Sequence, residues 1–89
     1  NSPNKDITST TSENVSATRQ LQEQLNTIAN TYTNIPKVAV DGIYGEATQE
    51  AVRQFQKIFN LPQTGVVDYP TWYKISAIYV ALTKIAELQ

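Results

Sequence analysis

The 89-residue chain contains no cysteine and no histidine. Without cysteine it has no disulfide, no thiolate zinc site and no thiol nucleophile. Without histidine it lacks the commonest general base and the commonest metal ligand of proteins. Ser-His-Asp catalysis and the usual zinc ligand sets are therefore excluded. We predict that the chain is not an enzyme and has no catalytic residues, no metal site and no cofactor.

Concentrated charge and long apolar runs are also missing. The seven basic and eight acidic residues are scattered singly, and the net charge is −1. There is no basic stripe of the kind that contacts nucleic acid, so no nucleic-acid partner is expected. No apolar run approaches the roughly 20 residues of a membrane span. The chain starts at Asn1 with no visible signal peptide, and we expect it to be an excised segment of a longer protein.

The N-terminal segment, residues 1–14, is rich in Ser, Thr and Asn and has Ile7 as its only large apolar side chain. Such a segment buries too little apolar surface to offset the entropy lost on ordering. It predicts a disordered linker over residues 1–14. The remaining residues, 15–89, are enough for one small domain with a compact core.

Apolar residues recur at helical spacing in three segments of this domain. The first predicted helix covers residues 17–30, with Ser16 as its N-cap. The second covers residues 46–59, followed by Asn60 as a left-handed C-cap. The third covers about residues 70–88. The three apolar stripes are Leu21, Leu25, Ile28 and Tyr32; Ala47, Ala51, Val52, Phe55 and Phe59; and Ile75, Ile78, Tyr79, Leu82, Ile85 and Leu88.

Three amphipathic helices joined by short loops predict an all-α fold, a small three-helix bundle. Two of the loop–helix junctions are similar. GIYGEAT at residues 42–48 and GVVDYPT at residues 65–71 share a leading glycine and a threonine six residues later. Gly42 and Gly45 are expected to adopt positive φ, which glycine tolerates best. We therefore predict two similar glycine-led loop–helix repeats, each of which starts a helix.

The same loops and the second helix carry the pattern of a known family. The matching motifs are VDGIYGEAT at residues 40–48, AVRQFQ at 51–56, GVV at 65–67 and TW at 71–72. In this order and spacing the chain closely resembles the peptidoglycan-binding domain type 1 family over roughly residues 16–75. Two positions depart from the family pattern: Glu46 replaces the usual proline of the first loop, and residues 68–69 replace the usual Gly-Pro of the second.

The resemblance implies a non-catalytic module that binds the glycan or the stem peptide of peptidoglycan. It would target an attached enzyme or surface protein to the bacterial wall or spore cortex, outside the cell. Neighbouring domains of the same chain are the other expected partners, and the isolated domain is expected to be a monomer. The alternative is a protein-docking or structural module that uses the long third helix and has lost the binding function.

Eight residues around the loops are candidates for ligand contact: Asp41, Tyr44, Thr48, Arg53, Gln56, Tyr69, Trp72 and Tyr73. The aromatic members offer flat apolar faces with polar tips, which suit a sugar or a muropeptide. Trp72 and Tyr44 are also suited to closing a small core, and for Trp72 we favour this interpretation. Tyr69 and Tyr73 are expected to be exposed.

The polar candidates have structural alternatives of their own. Asp41 is expected to close an Asx turn rather than to meet a ligand. The hydroxyl of Thr48 bonds either to loop backbone or to a ligand in a shallow groove. Arg53, which projects from the second helix with Gln56, either binds a stem-peptide carboxylate through its planar fork or pairs with Glu50.

Overall fold

The structure is a computed structural model that describes residue 7 and residues 14–87. Over those residues it contains three helices, α1 (Val15–Ala29), α2 (Glu46–Ile58) and α3 (Tyr69–Glu87). They form the predicted all-α three-helix bundle, in which α1 packs against α3 and, less extensively, against α2. In the described part of the chain, none of the helices is long and apolar enough to cross a lipid bilayer.

Helix α1 begins two residues earlier than predicted, and its N-cap is Asn14 rather than Ser16. The carbonyl of Asn14 accepts a hydrogen bond from the Thr18 amide at 2.7 Å, which closes the first turn. Ser16 is exposed inside the helix. The predicted apolar stripe is confirmed, because its first three members are fully buried: Leu21, Leu25 and Ile28.

Helix α2 ends at Ile58, one residue before the predicted end. Asn60 has the predicted left-handed conformation, with a φ of 60°. Phe55 is fully buried in the core. Phe59 is only half-buried, with its ring 4.6 Å from that of Phe55 and 5.1 Å from that of Tyr32. This aromatic cluster closes one end of the core.

Helix α3 contributes Trp72 and Ile75 to the centre of the core, with further apolar residues packed at its edge: Ile78, Tyr79 and Leu82. The predicted stripe is wrong at Ile85, which is 54% exposed. Leu88, the last predicted member, lies outside the described residues.

The two similar loops are called here the first glycine loop (residues 41–45) and the second glycine loop (residues 64–68). Gly42 and Gly65 have φ values of 77° and 74°, where a side chain would be strained. Gly45 does not follow the prediction. Its φ is −98° in an extended conformation, because it is the N-cap of α2 rather than part of the turn.

The structure interrupts the predicted N-terminal linker at Ile7. This side chain is fully buried and belongs to the hydrophobic core. Its amide and carbonyl form an antiparallel bridge with Val67, with both hydrogen bonds at 3.1 Å. Ile7 therefore packs in the same hydrophobic core as residues of the three helices. Residues 1–6 and 8–13, the rest of the predicted linker other than Asn14, lie outside the described residues.

Candidate functional site

The first glycine loop is held by Gln22 of α1, a residue that sequence reasoning did not single out. Gln22 is 1% exposed. Its Oε1 accepts hydrogen bonds from the backbone amides of Asp41, at 3.0 Å, and Gly42, at 2.9 Å. Its Nε2 donates to Asp41 Oδ1, the Ile43 carbonyl and Thr48 Oγ1, each at 3.1 Å. One buried amide group therefore satisfies both donors and acceptors of the loop.

The second glycine loop is held in the same manner by Gln56 of α2. Its Oε1 accepts a hydrogen bond from the Gly65 amide at 3.0 Å. Its Nε2 donates to the Val66 carbonyl at 3.0 Å and to Thr71 Oγ1 at 3.1 Å, and lies 3.3 Å from Thr64 Oγ1. Gln56 was a candidate for ligand contact, but it is fully buried and supports the loop.

An arginine lies over the positive-φ glycine of each loop. A methyl group built on Gly42 would lie 3.4 Å from the Arg19 side chain, and one on Gly65 would lie 2.8 Å from Arg53 Nη1. Each arginine comes three residues before the glutamine that holds the same loop. The two segments are RQLQ at residues 19–22 and RQFQ at residues 53–56. This repeated tetrapeptide is the sequence signal that identifies Gln22 as the partner of Gln56.

Asp41 closes an Asx turn, as favoured from the sequence. Its Oδ1 accepts hydrogen bonds from the Ile43 amide, at 2.9 Å, and from Gln22 Nε2. These two hydrogen bonds, that from the Ile43 backbone first, hold the pKa of the exposed Asp41 carboxyl below its usual value. The carboxylate is thus charged at neutral pH and committed to the turn through one oxygen.

Three further candidates are buried in the scaffold. Tyr44 lies between the loops, and its hydroxyl donates a hydrogen bond to the Gly65 carbonyl. Burial raises the pKa of Tyr44 well above its usual value, against the opposing effect of the Arg53 charge. Thr48 is buried against Gln22, and Trp72 is 1% exposed in the core. None of the three presents its aromatic face or hydroxyl to a ligand at the surface.

Arg53 is half-exposed and is paired with Glu50. Its Nε and Nη2 both lie 3.1 Å from Glu50 Oε1, one helical turn earlier. Hydrogen bonds from Gln54 and then from Arg53 hold the pKa of the Glu50 carboxyl below its usual value. A ligand carboxylate would have to compete with this pair for the guanidinium.

Tyr69 and Tyr73 are the two candidates that are largely free of the scaffold. They are 64% and 62% exposed, as predicted. They lie on the outer face of α3, since residues of the first turns that point inward are Trp72 and Ile75. Their ring centroids are 6.2 Å apart and the ring planes differ by 29°. Together they form an exposed aromatic pair on one turn of helix.

A groove of about 200 Å³ lies beside the first glycine loop, on the α2 side. It is lined by Val38, Ala39, Asp41, Ile43, Gly45, Glu46, Ala47 and Thr48. It brings two carboxylates together with apolar side chains, and it does not include the aromatic pair. Among the described residues, no group of three acidic side chains is placed to hold a metal ion.

The chain matches one known protein family. The model of the peptidoglycan binding domain type 1 family matches residues 14–75, more than half of the chain. The chain belongs to the peptidoglycan binding domain type 1 family. No curated protein and no solved structure gives a significant match.

The peptidoglycan binding domain defined by this match contains both glycine loops and the aromatic pair. It also contains Gln22 and Gln56, which are called here the clamping glutamines because each holds one loop. It ends at Ile75, so the later turns of α3 lie beyond it. Membership of this family indicates binding to cell-wall peptidoglycan, and the family is one of binding domains rather than of catalytic domains. Within the matched region, the structure separates residues that build the loops from residues that face outward.

Proposed function

We propose that this chain is a non-catalytic module that holds an attached enzyme or surface protein against peptidoglycan, in the bacterial wall or the spore cortex. The supporting observation is the family match over residues 14–75. A small binding module contributes by tethering. It raises the effective concentration of its attached partner at the wall, so even a modest affinity is useful.

We further propose that Tyr69 and Tyr73 are the ligand-contacting members of the eight candidates. The remaining candidates are already engaged. Four of them are buried, namely Tyr44, Thr48, Gln56 and Trp72. Asp41 is held in its turn and Arg53 in its ion pair. Among the eight candidates, the two tyrosines are therefore the ones whose apolar faces are exposed and uncommitted.

Co-sedimentation with purified cell-wall sacculi tests the proposed function. The chain is expected to be enriched in the pellet relative to an unrelated three-helix bundle of the same size. Equal recovery of the two proteins would overturn the proposal. The chain should also leave the turbidity of a cell-wall suspension unchanged, and clearing of the suspension would contradict a non-catalytic role.

A second function, protein docking through α3, is favoured by a separate observation. Val80 and Ile85 are 56% and 54% exposed, on the part of α3 that lies beyond the family match. Exposed apolar residues on one helix are a common feature of interaction surfaces. Light scattering over a range of concentrations tests self-association. A mass that rises with concentration and falls back in Val80→Lys supports docking between copies, and a constant monomer mass contradicts it.

A further inference from the structure

We propose that Tyr69 and Tyr73 bind the glycan strand of peptidoglycan, by stacking on its uncharged sugar rings, and that they do not bind the stem peptide. This inference rests on the proposed function and names the part of the ligand that is recognised.

The geometry leaves the ring faces available. Carbon atoms in contact lie about 3.5–4.0 Å apart, whereas the centroids of Tyr69 and Tyr73 are 6.2 Å apart. The rings are therefore strongly offset and cover little of each other. They are also close to parallel, at 29°. Both tyrosines thus keep apolar ring surface exposed, at 64% and 62% of each residue's possible exposure.

The helical turn that carries the tyrosines is held by hydrogen bonds and by packing on its buried side. The Asp68 carboxylate accepts a hydrogen bond from the Thr71 amide at 3.1 Å, and the Asp68 carbonyl accepts one from Trp72 at 2.8 Å. Thr71 and Trp72 are both buried, and the Thr71 hydroxyl is held by Gln56. Because the backbone is ordered before binding and tyrosine has few rotatable bonds, little entropy is lost when a ligand stacks.

The charge around the pair favours a neutral ligand. Along the outer face of α3, the residues that follow Tyr73 at helical spacing are Ser76, Ala77 and Val80. The first cation on this face is Lys84, eleven residues beyond Tyr73. That separation corresponds to roughly 16 Å along a helix. Lys74 is turned the other way, with its ammonium 5.6 Å from the Phe59 ring centroid.

A stem peptide carries carboxylates, and proteins recognise carboxylates with cations or clusters of amide donors. On α3 itself, Lys74 is turned towards Phe59 and Lys84 lies about three turns beyond the pair. A sugar ring has apolar C–H faces and hydroxyl edges, which match the apolar faces and hydroxyl tips of tyrosine. The glycan strand is therefore the part of peptidoglycan whose chemistry fits this surface.

The experiment compares four forms of the full chain: wild type, Tyr69→Ala/Tyr73→Ala, Tyr69→Phe/Tyr73→Phe and Val80→Ala. Each is measured with intact sacculi, with an uncharged oligomer of N-acetylglucosamine and with free stem peptide. The double alanine variant is expected to bind sacculi and the sugar oligomer at least tenfold more weakly. The double phenylalanine variant keeps the ring faces and should stay within about threefold of wild type, since the faces carry the contact.

Val80→Ala is the matched control, because it removes an exposed apolar side chain from the same face. It should bind as wild type does. All four forms should have the same circular dichroism spectrum and melting temperature, since the substituted side chains are exposed. Binding of stem peptide by wild type should be undetectable or unaffected by the tyrosine substitutions.

The outcomes separate this inference from the proposed function. Wild type that binds sacculi, with no loss in the double alanine variant, overturns the inference and leaves the function intact. Binding of stem peptide that depends on the tyrosines also overturns it. Wild type that fails to bind sacculi overturns the proposed function. In that case tyrosine-dependent binding of the sugar oligomer would still support a glycan platform, and its absence would overturn it.

Discussion

The two glycine loops perform the same task with glutamines drawn from different distances along the chain. Gln22 lies 20 residues before Gly42, whereas Gln56 lies nine residues before Gly65. Both side chains nevertheless bond the same backbone groups and a threonine hydroxyl at the start of the next helix. The repeated unit is therefore an arrangement in space, in which a preceding helix supplies one buried amide to each loop.

The two loops differ in the residue that closes the turn, in the contact made by the third residue after it, and in the number of amides bound by the glutamine. The residue that closes the turn is Asp41 in the first loop and Thr64 in the second. Tyr44 of the first loop reaches across to the second, whereas the equivalent Val67 pairs with Ile7. The number of backbone amides held by the glutamine is two in the first loop and one in the second. These differences predict unequal responses to matched substitutions.

The largest expected effect is the loss of a clamping glutamine. Gln22→Ala should lower the free energy of unfolding by about 3 kcal/mol and Gln56→Ala by about 2 kcal/mol, because each buried polar group left without a partner costs roughly 1–3 kcal/mol. The first substitution strands two loop amides and the second strands one. Urea denaturation measures both. Gln20→Ala on the exposed face of α1 is the control, and equal losses in Gln20→Ala and Gln22→Ala would refute the clamp.

The next effect compares the glycines. Gly42→Ala should cost about 2 kcal/mol and Gly65→Ala about 1 kcal/mol, since a left-handed backbone alone costs a side chain roughly 1–2 kcal/mol. The added methyl of Gly42→Ala would meet the branched Val15 side chain at 3.0 Å, whereas that of Gly65→Ala meets the flexible end of Arg53.

Gly45→Ser is the matched control for these two glycines. Gly45 has negative φ, its nearest neighbour to a new Cβ is 3.9 Å away, and serine is a good N-cap. Its unfolding free energy should stay within about 0.5 kcal/mol of wild type, as for ordinary surface changes. A loss as large as that of Gly42→Ala would show that the turn, and not positive φ, makes glycine necessary.

The helices and the two glycine loops could be predicted from the sequence because their signals are local. Apolar periodicity located α2 to within one residue of its end, and glycine followed six residues later by threonine located both loops. The start of α1 was displaced because Asn14 and Ser16 are both acceptable caps. Local sequence signals do not choose between two good N-caps that lie two residues apart.

The supporting side chains were harder to predict. A glutamine on a helix is ordinarily a surface residue, and apolar periodicity does not distinguish buried Gln22 from exposed Gln20; only the match between RQLQ and RQFQ does. Trp72 and Tyr44 carry the same aromatic signal as Tyr69 and Tyr73, but only position relative to the core separates the buried pair from the exposed pair. Ile7 was missed because one apolar residue in a polar segment gives no periodicity to detect.

Tyr44→Phe tests the connection between the loops. It removes the hydroxyl that donates to the Gly65 carbonyl, and a single hydrogen bond contributes about 1 kcal/mol to stability. Because burial raises the pKa of Tyr44, the unfolded chain releases this proton first as pH rises past about 10. Wild-type stability should therefore fall above that pH, and this part of the fall should be absent in Tyr44→Phe.

Thermal melts from pH 8 to 11 measure this difference. Tyr69→Phe is the control for loss of a tyrosine hydroxyl, because Tyr69 is exposed on α3; the fall in stability that belongs to Tyr44 should persist in this variant. Parallel profiles for wild type and Tyr44→Phe would show that Tyr44 does not link the loops.

The smallest effect concerns the residue that closes each turn. The Asp41 carboxylate accepts the Ile43 amide, whereas the Thr64 hydroxyl accepts the equivalent Val66 amide and does not titrate in acid. Hydrogen bonds lower the folded-state pKa of Asp41 below 3.8. The stability that its ionised form contributes is therefore present above that unfolded value and is lost as pH falls through the folded value. Acid should weaken the bond between the Ile43 amide and Asp41 and leave the bond between the Val66 amide and the Thr64 hydroxyl intact.

Amide chemical shifts of Ile43 and Val66, followed by NMR from pH 6 to 2, resolve the two loops separately. A local probe is needed because the pKa of Glu50 is also lowered, and a global melt would mix the two carboxyls. Ile43 should titrate with a midpoint below 3.8, and the Val66 amide should keep its bond to the Thr64 hydroxyl over the same range. In Asp41→Asn the amide oxygen still accepts both hydrogen bonds, so the loop should persist while the Ile43 titration disappears. If Ile43 still titrated in that variant, another group would be responsible, and the two loops would not differ in the way that their closing residues indicate.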